Sequence, residues 1–433
     1  MVDPFLARGV RDLKPNEAIF RRAVLERVER VFQRFGFLTI ETPKIEPLDI
    51  LKAKDAIGDE NKLIFELKEE NLGLRYDLTV SLARYMSMYQ NLPLPFKRYC
   101  IGFVWRMDEP QRLRYREFTQ ADVDIIGGDP IQCNAEVIAT ILTVFEDLGI
   151  DVQAGISSRE VIEDALISFG VKPEEFVKTV RVLDKMDKLD KDSIRSMLLA
   201  MLDVKIVDRI MAFVGFSGTN EEKLRYMEGV INDKGKIIEL RDTLALLDSY
   251  RLKIKPVIDL SVIRGIDYYT GIVMEFRHES FIESNGVKER KIDTISAGGR
   301  YSNLVKVMGG RELGGVGMTL GIDRILDVLE MSKSEKRNFA KVFVANVKPE
   351  NYTYALNVAN TLRAKGIDVD INTARRNISN QLSYASSLGY RLTLIVGDRE
   401  ESDSKVNVRD MSSGKETEFT LDGVADEVVR AIA

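Results

Sequence analysis

A chain of 433 residues, 45% hydrophobic and 30% charged, has material for about three folded domains, and it holds no apolar run near the roughly 20 residues a membrane-spanning helix needs. Its net charge of −5 gives no global attraction for polyanions, so a nucleic-acid partner has to be met by local basic patches. The single histidine, His278, excludes a multi-histidine metal site and any triad drawing on another histidine, and the two cysteines, Cys100 and Cys133, give neither a metal spacing nor a disulfide framework.

The first eight residues carry no signal-peptide pattern, which with the unpaired cysteines points to the cytoplasm. The segment GVRDLKP, 9–15, leads into a predicted helix. Pro15 suits its first turn and Gly36 its exit, and Ile19, Phe20, Ala23, Val24, Val28, Val31, Phe32 and Phe35 form an apolar stripe at helical spacing. Phe37 to Ile40 reads as a strand running to Pro43. In GLRYDLTV, 73–80, Arg75, Asp77 and Thr79 alternate against Leu74, Tyr76 and Leu78. A strand end that sets Asp77 beside Thr79 suits an ammonium group; a surface strand entering the apolar helix 80–88 explains the run equally well.

The stretch 97–127 organises the chain. Two runs alternate with period 2, 98–106 and 116–126, around an irregular charged loop, 107–115, which predicts a long antiparallel hairpin. On the second strand Arg116, Phe118, Gln120, Asp122 and Asp124 share one face; Glu117, Thr119, Ala121, Val123 and Ile125 share the other. The first set is a poor core and a good ligand surface. Guanidinium forks from Arg106, Arg112 and Arg114 grip phosphate in a bidentate way, and a flat ring such as Phe118 stacks on a base. An exposed sheet face with a solvated loop accounts for the same alternation.

Residues 135–148 are predicted helical and end at Gly149. The segment 156–252 is helical and rich in Lys, Asp and Glu, and its charge run 184–191 reads as a solvated helix or loop. Alternation returns over 257–276, broken by RGIDYY, 264–269. An arginine there needs anionic partners if buried, and the tyrosine hydroxyls suit a small polar ring; a hairpin turn with surface tyrosines is the plain alternative. His278 follows as an exposed structural residue, ahead of a hairpin whose Asn285-Gly286 fits a type I′ turn. In AGGRY, 297–301, Gly298 and Gly299 let the backbone approach a small ligand, or make a tight bend. GGVGMTLGIDR, 314–324, is a glycine-rich strand entering a helix that turns Ile322, Ile325, Leu326 and Leu329 inward. A polar linker, 331–340, precedes a βαβαβ pattern with strands at 342–347, 367–371 and 392–396, two more at 406–408 and 419–421, and a closing helix.

Three of these stretches resemble, in order, the motifs of class II aminoacyl-tRNA synthetases. The helix, strand and Pro43 resemble motif 1, which in that family builds the dimer interface. WRMD, 105–108, through RYREF, 114–118, is similar to motif 2, and 314–324 is similar to motif 3. QADVD, 120–124, RGIDYY and AGGRY resemble signatures of the histidyl-tRNA synthetase family, and aspartate at 77 and 124 matches its archaeal and eukaryotic branch.

The resemblance implies an α+β catalytic domain over 1–330, an antiparallel sheet flanked by helices, interrupted by a helical insertion at 156–252. A linker, 331–340, and an anticodon-binding-like α/β domain, 341–433, would follow. In the family the insertion touches the tRNA acceptor arm; here Arg375, Arg376 and Asn377 would meet the anticodon or form a solvated loop. The implied reaction joins L-histidine to ATP, with Mg²⁺, as histidyl-adenylate, then transfers the histidyl group to the 3′ end of tRNA(His), on a homodimer with no membrane association. Arg106 and Arg264 would stabilise the α-phosphate as catalytic residues, Arg114 and Arg324 the outer phosphates, and Phe118 the adenine. Asp77, Thr79 and Gln120 would hold the α-amino group, and Asp124, Tyr268 and Tyr269 would line the imidazole pocket. No metal ligand is assigned to protein side chains. Such chemistry suits a chain with one histidine, because the substrate carboxylate is already an anionic nucleophile and needs positioning and charge neutralisation, not a base. Two rivals are a non-catalytic histidine sensor built on the same fold and a class II enzyme for another amino acid. Arg264 with the C-terminal domain opposes the first, and Arg264 to Tyr269 oppose the second.

Overall fold

The computed structural model describes residues 3–53, 62–68, 70–186, 189–263, 269–284, 287–331, 338–374 and 376–432. The chain forms two compact units, Met1–Arg11 with Val24–Leu329 and Asp12–Ala23 with Glu330–Ala433. Among the described residues no helix is long and apolar enough to cross a membrane.

Helix α1 (Pro15–Arg34) begins on the proline and is followed by Gly36 at φ +75°, a left-handed exit that favours glycine. After β1 (Leu38–Thr39) come β2 (Ile45–Pro47), helix α2 (Leu48–Leu51), β3 (Glu66–Leu67) and β4 (Leu72–Leu74), and then α3 (Thr79–Met88). The predicted hairpin is present as β5 (Phe96–Trp105) and β6 (Glu117–Ile126). Helix α4 (Pro130–Leu148) starts five residues before the predicted Ala135. Its cap explains the difference: Asp129 Oδ1 accepts the Gln132 amide at 3.0 Å and Pro130 fills the first turn, signals that lie outside the apolar stripe.

Strand β7 (Gln153–Ser158) precedes six helices, α5 (Arg159–Phe169), α6 (Pro173–Leu183), α7 (Lys191–Leu199), α8 (Val204–Val214), α9 (Asn220–Val230) and α10 (Ile238–Asp248). The helical stretch thus begins at Arg159, because residues 156–158 are strand. Next come β8 (Val257–Ile258), β9 (Tyr269–Ser284), β10 (Val287–Tyr301), α11 (Leu304–Val307), β11 (Gly315–Gly321) and α12 (Ile322–Val328).

Eight strands make one sheet in the order β1-β5-β6-β11-β10-β9-β7-β8, and β2-β4-β3 form a small side sheet. The six inner strands are antiparallel, whereas both edges add a parallel pair, β1 with β5 and β7 with β8, so the sheet is mixed where an antiparallel one was expected. Helix α4 covers the core with Val137, Ile138, Ile141, Leu142 and Phe145 fully buried.

The second unit carries a five-stranded sheet, order β13-β12-β14-β15-β16. Strands β12 (Val342–Asn346), β13 (Val369–Ile371) and β14 (Leu392–Val396) are parallel; β15 (Lys405–Asp410) and β16 (Glu416–Thr420) add antiparallel. Helices α13 (Tyr352–Ala364), α14 (Ile378–Leu388), α15 (Asp398–Ser402) and α16 (Val424–Ile432) complete it, over a core that includes Val344, Val358, Leu362, Leu394 and Val428.

Candidate active site

Strand register builds a cavity of about 420 Å³ on one face of the large sheet. That size falls within the range of small-molecule sites. Phe118, Gln120, Asp122 and Asp124 of β6 point into it. Directly across on β11 stand Gly321, Thr319 and Gly317, opposite Gln120, Asp122 and Asp124. Residues opposite one another in an antiparallel pair share a face, so small partners leave room for a ligand. Gly317 has a further reason: a Cβ there would run into Asp124 Oδ1, so the carboxylate occupies the space that the glycine leaves empty.

Gly298 and Gly299 were expected to bring backbone close to a ligand. They instead admit protein neighbours. A Cβ at Gly298 would strike the Gly317 carbonyl of β11, and one at Gly299 would lie 2.6 Å from the Tyr269 ring.

One end of the cavity is acidic and buried. Asp122 and Asp124 are 2% and 1% exposed, which sets aside the solvated sheet face. Asp124 Oδ2 forms an ion pair with Arg98 Nη2 at 2.7 Å, and its Oδ1 accepts the Tyr301 hydroxyl at 2.6 Å. Burial pushes both carboxyls upward and Arg98 pulls both back. Asp122 forms no ion pair among the described residues and is pushed up to about 7. Burial also works against the Arg98 cation, but Asp124 and Asp122 outweigh it and hold the guanidinium above its ordinary value.

Asp77 and Thr79 line the same end. They do not continue a strand as the alternation suggested. Asp77 Oδ1 accepts the Val80 amide at 3.0 Å just ahead of α3, and Thr79 is the first residue of that helix. Arg75 is buried, not on a surface strand: it donates to the carbonyls of Phe103 and Thr42, each at 2.9 Å.

The other end gathers guanidinium groups. Arg106 donates Nε to the Tyr76 carbonyl at 2.9 Å and lies over the Phe118 ring at 5.3 Å. Arg324 donates to the Thr294 carbonyl. Neither makes an ion pair with a described carboxylate. Burial lowers the Arg324 pKa, and the like charges of Arg114 and Arg106 lower it further, so an anion between them would relieve all three. Arg114 already pairs with Asp108 at 2.7 Å. Glu275 lines this wall beside Arg277, which it meets at 3.1 Å.

An N-terminal strap braces the loop between β5 and β6. Arg11 donates to Asp323 Oδ1 at 2.6 Å, and its guanidinium lies over the Tyr115 ring at 4.2 Å. Asp323 Oδ2 in turn accepts the Thr119 amide at 2.8 Å, and the Gly9 carbonyl accepts the Arg116 amide at 2.7 Å.

Among the site residues expected from sequence, Asp77, Thr79, Arg106, Arg114, Phe118, Gln120, Asp124, Tyr269 and Arg324 all line this one cavity. Arg264 and Tyr268 lie outside the described residues, as do Asn285 and Gly286 of the expected turn and Arg375 of the second unit. His278 sits away from the cavity, its Nδ1 2.8 Å from the Asp151 carbonyl.

Comparison with known proteins identifies the arrangement. The family profile described as histidyl-tRNA synthetase matches residues 9–325, and that of the anticodon binding domain matches residues 341–431. The chain belongs to the histidyl-tRNA synthetase family. The histidine--tRNA ligase of Korarchaeum cryptofilum is 34% identical, over 93% of this chain and 94% of its own. That of Pyrococcus furiosus is 32% identical, over 98% of each. The crystal structure of histidyl-tRNA synthetase from Nostoc sp. PCC 7120 superposes with a TM-score of 0.84 at 25% identity, covering 99% of this chain and 100% of the other.

The sequence alone assigned no individual role to Arg98, Tyr301, Asp323, Arg11 or Asp122. Arg98 had a readable signal. Hairpin register sets 98 opposite 124 once 105 is set opposite 117. Arg11 and Asp323 had none, being 312 positions apart.

Proposed function

We propose that this chain activates L-histidine with ATP and transfers the histidyl group to the 3′ end of tRNA(His). One observation carries the reading: the described residues expected to hold amino acid and nucleotide, drawn from four separate stretches of sequence, line a single cavity. The histidine carboxylate attacks the α-phosphorus of ATP, a P–O bond forms, and the bond to the β-phosphate breaks to release pyrophosphate. Asp77, Thr79 and Gln120 hold the α-amino group, and Asp124 and Tyr269, with Tyr268, surround the ring. A carboxylate accepts the ring N–H, and a site built to pair polar groups rejects apolar analogues strongly.

Phe118 supports adenine. Arg106 and Arg264 meet the α-phosphate, and Arg114 and Arg324 meet the outer phosphates, where charge shifts onto the leaving group. Among the described residues no group of three His, Cys, Asp or Glu is set to hold a metal. An Mg²⁺ accompanying ATP would be held with help from Glu275, one of the carboxylates lining the cavity, and would neutralise phosphate charge. The second unit meets the anticodon, and the working form is a cytoplasmic homodimer.

Pyrophosphate exchange, run with each amino acid in turn, tests the reading. Exchange should depend on histidine and collapse about 1,000-fold in Arg264→Ala with the circular dichroism spectrum unchanged, since that charge is needed in the transition state. Exchange driven equally by another amino acid, or undiminished in the variant, would refute it.

A further inference from the structure

Arg98 is among the largest side chains wholly buried in the chain, and it does not line the cavity. The reaction proposed above asks nothing of it. A buried cation is costly unless closely paired, so its partners indicate its use. Arg98 has two among the described residues. Nη2 forms the 2.7 Å ion pair with Asp124 Oδ2 and also donates to the Leu78 carbonyl at 3.3 Å. Nε and Nη1 have no hydrogen-bond partner there. Leu78 stands between Asp77 and Thr79, so a single nitrogen joins the turn assigned to the α-amino group to the strand assigned to the imidazole. Register holds Arg98 opposite Asp124 on the neighbouring strand, and the Tyr301 hydroxyl holds the other carboxylate oxygen.

We propose that Arg98 is a positioning residue for the amino acid: by clamping Asp124 to the 77–79 turn it sets the span between the carboxylate that reads the ring and the groups that hold the ammonium. The inference rests on the reading of the cavity as a histidine site. The guanidinium does not touch the substrate; it acts through Asp124. A merely structural arginine would cost stability and affect both substrates alike, whereas a positioning one acts on histidine alone and only while Asp124 is present.

A double-mutant cycle separates the two. Pyrophosphate exchange is measured for the full chain, Arg98→Met, Asp124→Asn and the variant carrying both, with kcat/KM taken separately for histidine and ATP. Arg98→Met should lower kcat/KM for histidine about 30-fold and that for ATP less than about threefold, and in the Asp124→Asn background its effect on histidine should shrink below about threefold. Equal losses for both substrates, or the same histidine loss in both backgrounds, would overturn the role. Arg98→Lys guards against misfolding of the methionine variant. It keeps the charge but loses the planar fork, so histidine use should fall about tenfold with Asp124 present and recover none of the fork's geometry; histidine kinetics like wild type in Arg98→Lys would equally overturn it. Absence of histidine-dependent exchange in the unaltered chain is a different result: it removes the histidine reading itself, and this role with it.

Discussion

Asp122 is buried as deeply as Asp124 but, among the described residues, forms no ion pair. Its carboxyl moves from an ordinary 3.8 to about 7, chiefly by burial, with Arg98 opposing and Asp124 and Asp77 adding to the shift. Arg75 and Cys100 also face it. Between those two pH values the folded chain holds a proton that the unfolded chain has released. The contribution is therefore complete below the unfolded value and is lost as pH rises through 7, at most ~4 kcal/mol for such a shift. Asp122→Asn should flatten this loss: its melting temperature relative to wild type rises from pH 5 to pH 8. Parallel melting curves across that range would refute the assignment.

Gly317 is the second residue whose chemistry is set by a neighbour. Gly317→Ala must displace the Asp124 carboxylate, with the Val123 carbonyl a further 3.0 Å obstacle. Overpacking of this kind costs about 1–3 kcal/mol. The variant should fold and lose histidine use at least tenfold, a loss read as kcat/KM for histidine against kcat/KM for ATP, by the same reasoning about misplaced groups. Retention of normal histidine kinetics would show that the carboxylate has somewhere else to go.

At the scale of elements, the hairpin β5–β6 shows what alternation can and cannot tell. Period 2 found the strands and the ligand face because each side chain simply follows the pleat. It failed at 73–80, where the same alternation continues past the strand end at Leu74 into a turn in which Asp77 accepts an amide from the start of the next helix. A carboxylate three residues ahead of a helical amide competes with strand pairing, and the pattern of apolar residues does not register that. The glycine pair at 298–299 misled for a related reason: sequence shows that a Cβ is absent but not which atom needs the space.

The strap from Gly9 to Arg11 lies beyond any local pattern, since its partners are distant in sequence. It gives the charged loop and α12 a common anchor at Asp323. Arg11→Ala should therefore raise the KM for ATP about tenfold through a less ordered loop, with a stability cost near 1 kcal/mol for a partly exposed pair. An unchanged ATP KM would mean that the loop holds its shape without the strap.

At the scale of the whole molecule, a net charge of −5 means that any RNA has to find its cations locally. In the second unit Asn377 is spoken for, its side chain accepting the Asn380 amide at 2.9 Å as the cap of α14. Arg376 is placed differently, with its guanidinium 4.8 Å from the centre of the Tyr384 ring. Flat cation and ring together make a surface on which a base can stack. Arg376→Glu should lower kcat/KM for tRNA charging about tenfold and leave pyrophosphate exchange intact. Equal charging of tRNA by the two proteins would count against this face.

The pairing of Gly317 with Asp124 also bears on how such a chain can diverge. Each strand supplies half of one fitted shape, the acid on one side and the missing methyl on the other. Filling the gap drives a methyl group into the acid, so a residue larger than glycine fits at 317 only where the acid shortens or turns away. Kindred chains with a side chain in place of this glycine should differ at the acid as well.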